Sequence, residues 1–67
     1  MKGPWYVAYK ADGGTSMQVY GTKRRALKVA AVLLNDGATE VEVGPMLDTH
    51  EGILRGDELR RIVGVAA

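Results

Sequence analysis

The sequence of 67 residues predicts an α+β fold with the element order β-β-α-β-α. Three observations predict it: two strand-like stretches around a glycine turn, an apolar stripe with helical period, and a later stretch that alternates perfectly. We expect a three-stranded, mostly antiparallel sheet in the order 2-1-3, with both helices packed on one face. No linker, repeat or low-complexity tract interrupts the chain, so we interpret 1–67 as a single small domain.

The first two strands are predicted to form a hairpin. Strand 1 covers 4–11, where aromatic and β-branched residues are dense, and strand 2 covers 15–21, where apolar and polar residues alternate. Asp12-Gly13-Gly14 lies between them and offers glycines that tolerate positive φ. A strand, a glycine turn and a second strand are a strong short-range hairpin pattern.

The first helix is predicted over 23–36. Thr22 can cap its N-terminus, and Gly37 suits the left-handed residue that follows a helix. Its apolar stripe consists of Ala26, Leu27, Ala30, Leu33 and Leu34. A third strand follows over 39–44, and a second helix over 57–63, which begins with two acids and is ended by Gly64.

The connection through the first helix predicts the sheet topology. A right-handed crossover makes strand 3 parallel to strand 2 and leaves strand 1 in the centre. Alternation then assigns the side chains to two faces. We expect Trp5, Val7, Tyr9, Met17, Val19, Val41 and Val43 to face the helices. We expect Tyr6, Ala8, Lys10, Gln18, Tyr20, Glu40 and Glu42 on the opposite, open face.

Composition excludes several classes of protein. The chain has no cysteine and one histidine, which excludes a disulfide framework and zinc sites rich in Cys or His. The longest apolar run covers 29–34, far short of the roughly 20 residues that a membrane span needs. The N-terminus shows no apolar core of a signal peptide, so we expect a cytoplasmic protein with no membrane partner.

The single histidine lies in the polar stretch Asp48-Thr49-His50-Glu51, whose groups can serve acid–base or metal chemistry. A catalyst also needs an orienting partner and a pocket, and no catalytic motif occurs in the sequence. A histidine in a surface loop is the simpler interpretation. We therefore expect no enzymatic activity, no cofactor and no metal.

Charge is distributed unevenly along the chain. Residues 1–34 carry six Lys and Arg against one Asp, whereas residues 35–67 carry three Arg against seven Asp and Glu. The basic half concentrates its charge at the start of the first helix, in Lys23, Arg24, Arg25 and Lys28. A helix N-terminus carries partial positive charge and favours acidic side chains, so these cations break a rule that the second helix obeys.

Two interpretations of the basic helix start remain open. It can bind an anion, such as a phosphate, a nucleic-acid backbone or an acidic protein surface. Alternatively, it is a solvated basic turn, or its cations form salt bridges. The candidate acids for such salt bridges are Glu40, Glu42, Asp48 and Glu51.

Three further side chains suggest a protein interface. Tyr6 and Tyr20 are predicted to be neighbours on the open sheet face, and tyrosine is favoured in interfaces. Val32 is predicted to point outward among the charges of the first helix, where it is either a lone exposed apolar group or the centre of a contact. A small sheet with two edges also invites pairing, so we expect a homodimer.

These observations favour a small, cytosolic, non-enzymatic protein-interaction module. Accessory or inhibitor proteins of bacteria or phages are of this kind. The alternative function is binding of nucleic acid or phosphate through the basic start of the first helix.

Overall fold

The computed structural model of the chain describes residues 3–11, 13–47 and 52–64. It shows an α+β fold in which two helices accompany a four-stranded antiparallel sheet of order β2-β1-β3-β4. In chain order the elements are β1 Trp5–Ala11, β2 Gly14–Tyr20, α1 Lys23–Asn35, β3 Thr39–Pro45, β4 Leu54–Arg55 and α2 Gly56–Val63.

The sheet contains the predicted order 2-1-3 and adds one strand that was not predicted. Both β2 and β3 run antiparallel to β1, so they are parallel to each other, as the crossover argument requires. The added strand, β4, pairs with β3 through two residues only, Leu54 and Arg55. Two residues show no periodicity, so sequence pattern alone does not reveal such a strand.

The register of the β1–β2 hairpin is set by the length of its turn. Only two residues connect the strands, so Ala11 pairs with Gly14, and the pairing continues without interruption to Trp5 opposite Tyr20. The predicted start of β2 at Thr15 implied a three-residue connection. Because side chains alternate with a period of two, this difference of one residue moves every side chain of β2 to the other face.

The predicted faces of β2 are therefore wrong. Directly paired residues share a face, so Gln18 and Tyr20 lie on the helix side, opposite Val7 and Trp5. Met17 and Val19 lie on the open face and are 57% and 50% exposed. Their apolar character suggested an inward position, but the turn decides the register.

The core lies between the helices and one face of the sheet. β1 and β3 contribute the inward residues that the sequence predicted, among them the fully buried Val7 and Val43. Tyr9 and Tyr20 are half-buried against this core. Leu59 of α2 has no exposed surface, and burying a leucine side chain stabilises a fold by about 1.5–3 kcal/mol. The buried set is Trp5, Val7, Ala26, Ala30, Leu34, Val41, Val43 and Leu59.

A β-bulge interrupts the pairing of β1 with β3. The register shifts between the pairs Ala8–Glu42 and Lys10–Thr39, and β3 carries the extra residue. Glu40 lies in this bulge with a φ of 53°, in the left-handed region that glycine usually occupies. Its carboxylate lies 3.4 Å from the ammonium group of Lys10, on the neighbouring strand.

Candidate functional site

The first turn of α1 presents its cations because the helix is anchored on the opposite side. The backbone N–H of Arg25 donates to Thr22 Oγ1 at 3.2 Å, which confirms Thr22 as the N-cap. Ala26, Ala30 and Leu34 recur at every fourth position and are buried against the sheet. The side chains on the opposite side of the helix consequently face outward.

The four predicted cations are not equivalent. The ammonium group of Lys23 lies 5.1 Å from the ring centroid of the buried Trp5, a cation–π contact, and Lys23 is half-buried. Arg24, Arg25 and Lys28 are exposed, and none of them forms an ion pair with another residue of the described ranges. The structure thus uses Lys23 to cover a core aromatic ring and directs the other three cations outward.

Two of the acids that were candidate partners for these cations are engaged elsewhere. Glu40 pairs with Lys10, and Glu42 lies 3.8 Å from the guanidinium of Arg55. The other two candidates, Asp48 and Glu51, lie outside the described residues, as do Thr49 and His50. The salt-bridge interpretation therefore fails for the two acids that the structure describes.

A groove with an apolar floor lies between α1 and α2, beside these cations. Its volume is about 490 Å³. Leu27 and Ala31 of α1 line it together with Ile62 and Val63 of α2. Its basic lining residues are Lys23, Arg24 and Lys28. We refer to this feature as the interhelical groove.

A second hollow of about 440 Å³ lies further around α1 and shares Lys28 with the interhelical groove. Val29, Val32 and Leu33 line it, and Arg25 lies at its side. Val32 is 60% exposed, as its predicted outward position requires. The two hollows and the cations around them form one continuous area, the α1 surface.

The cations of the α1 surface were evident from the sequence, whereas the contribution of α2 was not. Ile62 and Val63 follow the buried Leu59 by three and four residues, so they share its side of the helix. Only the packing of α2 beside α1 shows that Ile62 borders a groove, where it is half-exposed.

The two tyrosines predicted to be neighbours lie on opposite faces of the sheet. Tyr20 lies on the helix side, packs against the core and donates its hydroxyl hydrogen to Gln18 Oε1. Tyr6 lies on the open face and donates to Glu42 Oε2 at 2.6 Å. The pair that suggested an interface does not exist, because the register of the hairpin separates its members.

Tyr6 has a fixed position on the open face. A Cβ atom added to Gly44 would lie only 2.7 Å from Cε2 of the Tyr6 ring, so this ring covers the glycine backbone. Burial of the phenol raises the pKa of Tyr6 from 10.0 to about 12, and the hydrogen bond to Glu42 and the negative charge of Glu42 add to the rise. Arg55 acts in the opposite direction and lowers the pKa.

Within the described ranges, no helix is both long and apolar enough to cross a membrane, and no three His, Cys, Asp or Glu side chains come together as a metal site would require. Comparison with known proteins finds no matching family model, no matching curated protein and no matching solved structure.

Proposed function

We propose that this chain is a non-enzymatic protein-interaction module that binds an acidic, amphipathic segment of another protein on its α1 surface. One observation carries the proposal: Arg24, Arg25 and Lys28, without ion-pair partners among the described residues, border two hollows with apolar floors.

The apolar floors indicate the chemistry of the partner. Leu27, Ala31 and Ile62 offer apolar contact, and the cations beside them offer charged hydrogen bonds. A helix with apolar residues on one face and acids along its margins satisfies both at once, and grooves between helices commonly bind such segments. Charge complementarity at the rim would set the association rate and the orientation of the partner.

The alternative function is binding of nucleic acid or phosphate by the same cations. The position of Arg24 and Arg25 in the first turn of α1 favours it, since backbone N–H groups and the helix dipole also attract anions there. Phosphate contacts, however, give no role to Val32 or to the apolar floor of the interhelical groove. We therefore place this function second.

Selection from a library of random peptides tests the proposal. Peptides that bind the wild-type chain should be rich in Asp and Glu and should carry apolar residues three and four positions apart. Arg24→Glu should weaken their binding roughly tenfold, since the reversal replaces attraction by repulsion of similar size. Arg61→Glu is the matched control, because Arg61 is exposed and lines neither hollow.

Two results would overturn the proposal. The first is a set of selected peptides without acidic residues, or peptides that bind Arg24→Glu and Arg61→Glu equally well. The second is tight binding of a DNA or RNA duplex whose log–log salt slope is about 3, as contact of three cations with phosphates predicts. That second result would establish the alternative function instead.

A further inference from the structure

The two edges of the sheet differ in how they are protected against pairing with another strand. β4 has only two residues, one of them charged, and α2 begins directly after it at Gly56. Shortness and charge are devices by which natural proteins block an edge. β2 has neither. Its seven residues contain no Asp, Glu, Lys, Arg or Pro.

β2 is also regular along its whole length. All seven residues pair with β1, from Trp5–Tyr20 to Ala11–Gly14, and no bulge distorts the strand. Within the described ranges, no strand lies on its other side. Alternate residues therefore direct their N–H and C=O groups away from the sheet, where they form a template for a further strand.

We infer that β2 pairs with β2 of a second copy of this chain, in antiparallel orientation, so that two sheets join into one of eight strands. The composition of β2 supports a second copy as the occupant. In a symmetric pair each residue meets a residue of the same strand, so any charge in β2 would oppose a like charge at some register. An uncharged strand meets itself without repulsion at every register.

The side chains of β2 fit this arrangement. A two-fold axis perpendicular to the sheet places the open faces of both copies on the same side of the joined sheet. The half-exposed Met17 and Val19 therefore meet only Thr15, Met17 and Val19 of the second copy. On the helix side, Ser16 and Gln18 meet only the uncharged residues Gly14, Ser16, Gln18 and Tyr20 of the second copy. Pairing thus buries apolar side chains against apolar or methyl-bearing ones and gives the free backbone groups of β2 hydrogen-bond partners.

The same symmetry places α1 of both copies on one side of the joined sheet. Two α1 surfaces then face the same direction, and a partner with two acidic segments would bind both with an avidity above that of one. This consequence rests on the proposed function, whereas the pairing of β2 does not. Sedimentation tests the pairing of β2, and peptide binding tests the proposed function of the α1 surface. Each of the two hypotheses can therefore be refuted without the other.

Sedimentation equilibrium over a range from micromolar to sub-millimolar concentration tests the pairing. The wild-type chain should dimerise reversibly. Val19→Lys should raise the dissociation constant roughly tenfold or more, because it places a charge on the edge strand. Val32→Lys is the matched control, because it makes the same change at an exposed valine of α1. Val32 is 60% exposed and Val19 is 50% exposed. The control variant should leave the dimer intact.

One further variant separates edge pairing from packing of the open faces. Gln18→Lys lies on the helix side of β2, so it should weaken an edge-paired dimer and leave a face-packed one unchanged. Met17→Lys and Met17→Glu should each be monomeric but form a mixed dimer, visible by native mass spectrometry, since the charges attract. A mixed dimer would also show that both variants fold.

The inference is overturned if the wild-type chain stays monomeric throughout this range. It is equally overturned if Val32→Lys weakens the dimer as much as Val19→Lys, or if Gln18→Lys has no effect. Circular dichroism of each variant establishes that a loss of dimer is not a loss of fold.

Discussion

Tyr6 donates a 2.6 Å hydrogen bond to Glu42 across the two central strands of the sheet, on the face that the helices leave uncovered. This contact links β1 to β3 outside the core. It joins an aromatic group to a carboxylate that also lies 3.8 Å from the guanidinium of Arg55 on β4. Two polar contacts that share the Glu42 carboxylate therefore connect three of the four strands on the open face.

The first prediction concerns the pH dependence of this contact. The pKa of Tyr6 is raised from 10.0 to about 12 in the folded chain, so the folded state holds the phenolic proton more tightly than the unfolded state. The resulting stabilisation is complete below the unfolded value near 10.0 and is lost as the pH rises through about 12.

The measurement compares the wild-type chain with Tyr6→Phe in urea unfolding at a series of alkaline pH values. At neutral pH, Tyr6→Phe should be less stable by about 1 kcal/mol, the usual value of one hydrogen bond. This difference should shrink as the pH approaches 12, the folded-state pKa of Tyr6. Titration of the lysines affects both proteins equally, so it cancels in the difference between their unfolding free energies. A difference that stays constant with pH would contradict the prediction.

The sequence predicted the parts of this fold that depend on local interactions. Thr22 caps α1 and Ala26 and Ala30 point inward, because capping and helical periodicity act within a few residues. The faces of β2 were predicted wrongly because they depend on whether two or three residues connect β1 to β2. β4 was missed because two residues show no periodicity, and their strand conformation depends on pairing with the distant β3.

The candidate site divides in the same way. The cations of α1 were evident from the sequence, because they contradict the preference of a helix N-terminus. The interhelical groove was not evident, because it exists only where Ile62 and Val63 pack beside Leu27 and Ala31. A groove between two helices is a property of tertiary packing, and no pattern along either helix specifies its partner.

The second prediction tests how closely Tyr6 packs on the backbone of β3. A Cβ atom at Gly44 would lie within 2.9 Å of three atoms of the Tyr6 side chain, so Gly44→Ala must displace the ring and break its hydrogen bond to Glu42. We expect a loss of about 1–2 kcal/mol in unfolding free energy.

Gly14→Ala is the matched control for this loss, because nothing lies within 4 Å of a Cβ atom added at Gly14. That variant should be neutral or up to about 1 kcal/mol more stable, since alanine has less backbone freedom to lose than glycine. In a Tyr6→Thr background, Gly44→Ala should no longer destabilise. If its cost persists there, the Tyr6 ring is not its cause.

The third prediction concerns the effect of the α1 cations on the free energy of unfolding. Arg25 occupies the third position after the Thr22 cap, where a glutamate would accept a hydrogen bond from the backbone N–H of Thr22 and complete a capping box. Arg25→Glu also exchanges a charge that the helix dipole disfavours for one that it favours. Chemical unfolding at low salt should therefore show a gain of about 1 kcal/mol.

Lys28→Glu is the matched control, since it makes the same change of charge beyond the first turn, where the effect of the dipole has fallen off. Its gain should be clearly smaller than that of Arg25→Glu. If Arg25→Glu gains stability and Lys28→Glu gains clearly less, Arg25 lowers the stability of the helix that carries it. Selection for stability then does not explain the presence of an arginine at this position. That result would support the proposed role of Arg25 in binding a partner. If Arg25→Glu is instead less stable than the wild type, the guanidinium contributes to the fold, and the basic start of α1 needs no partner to account for it.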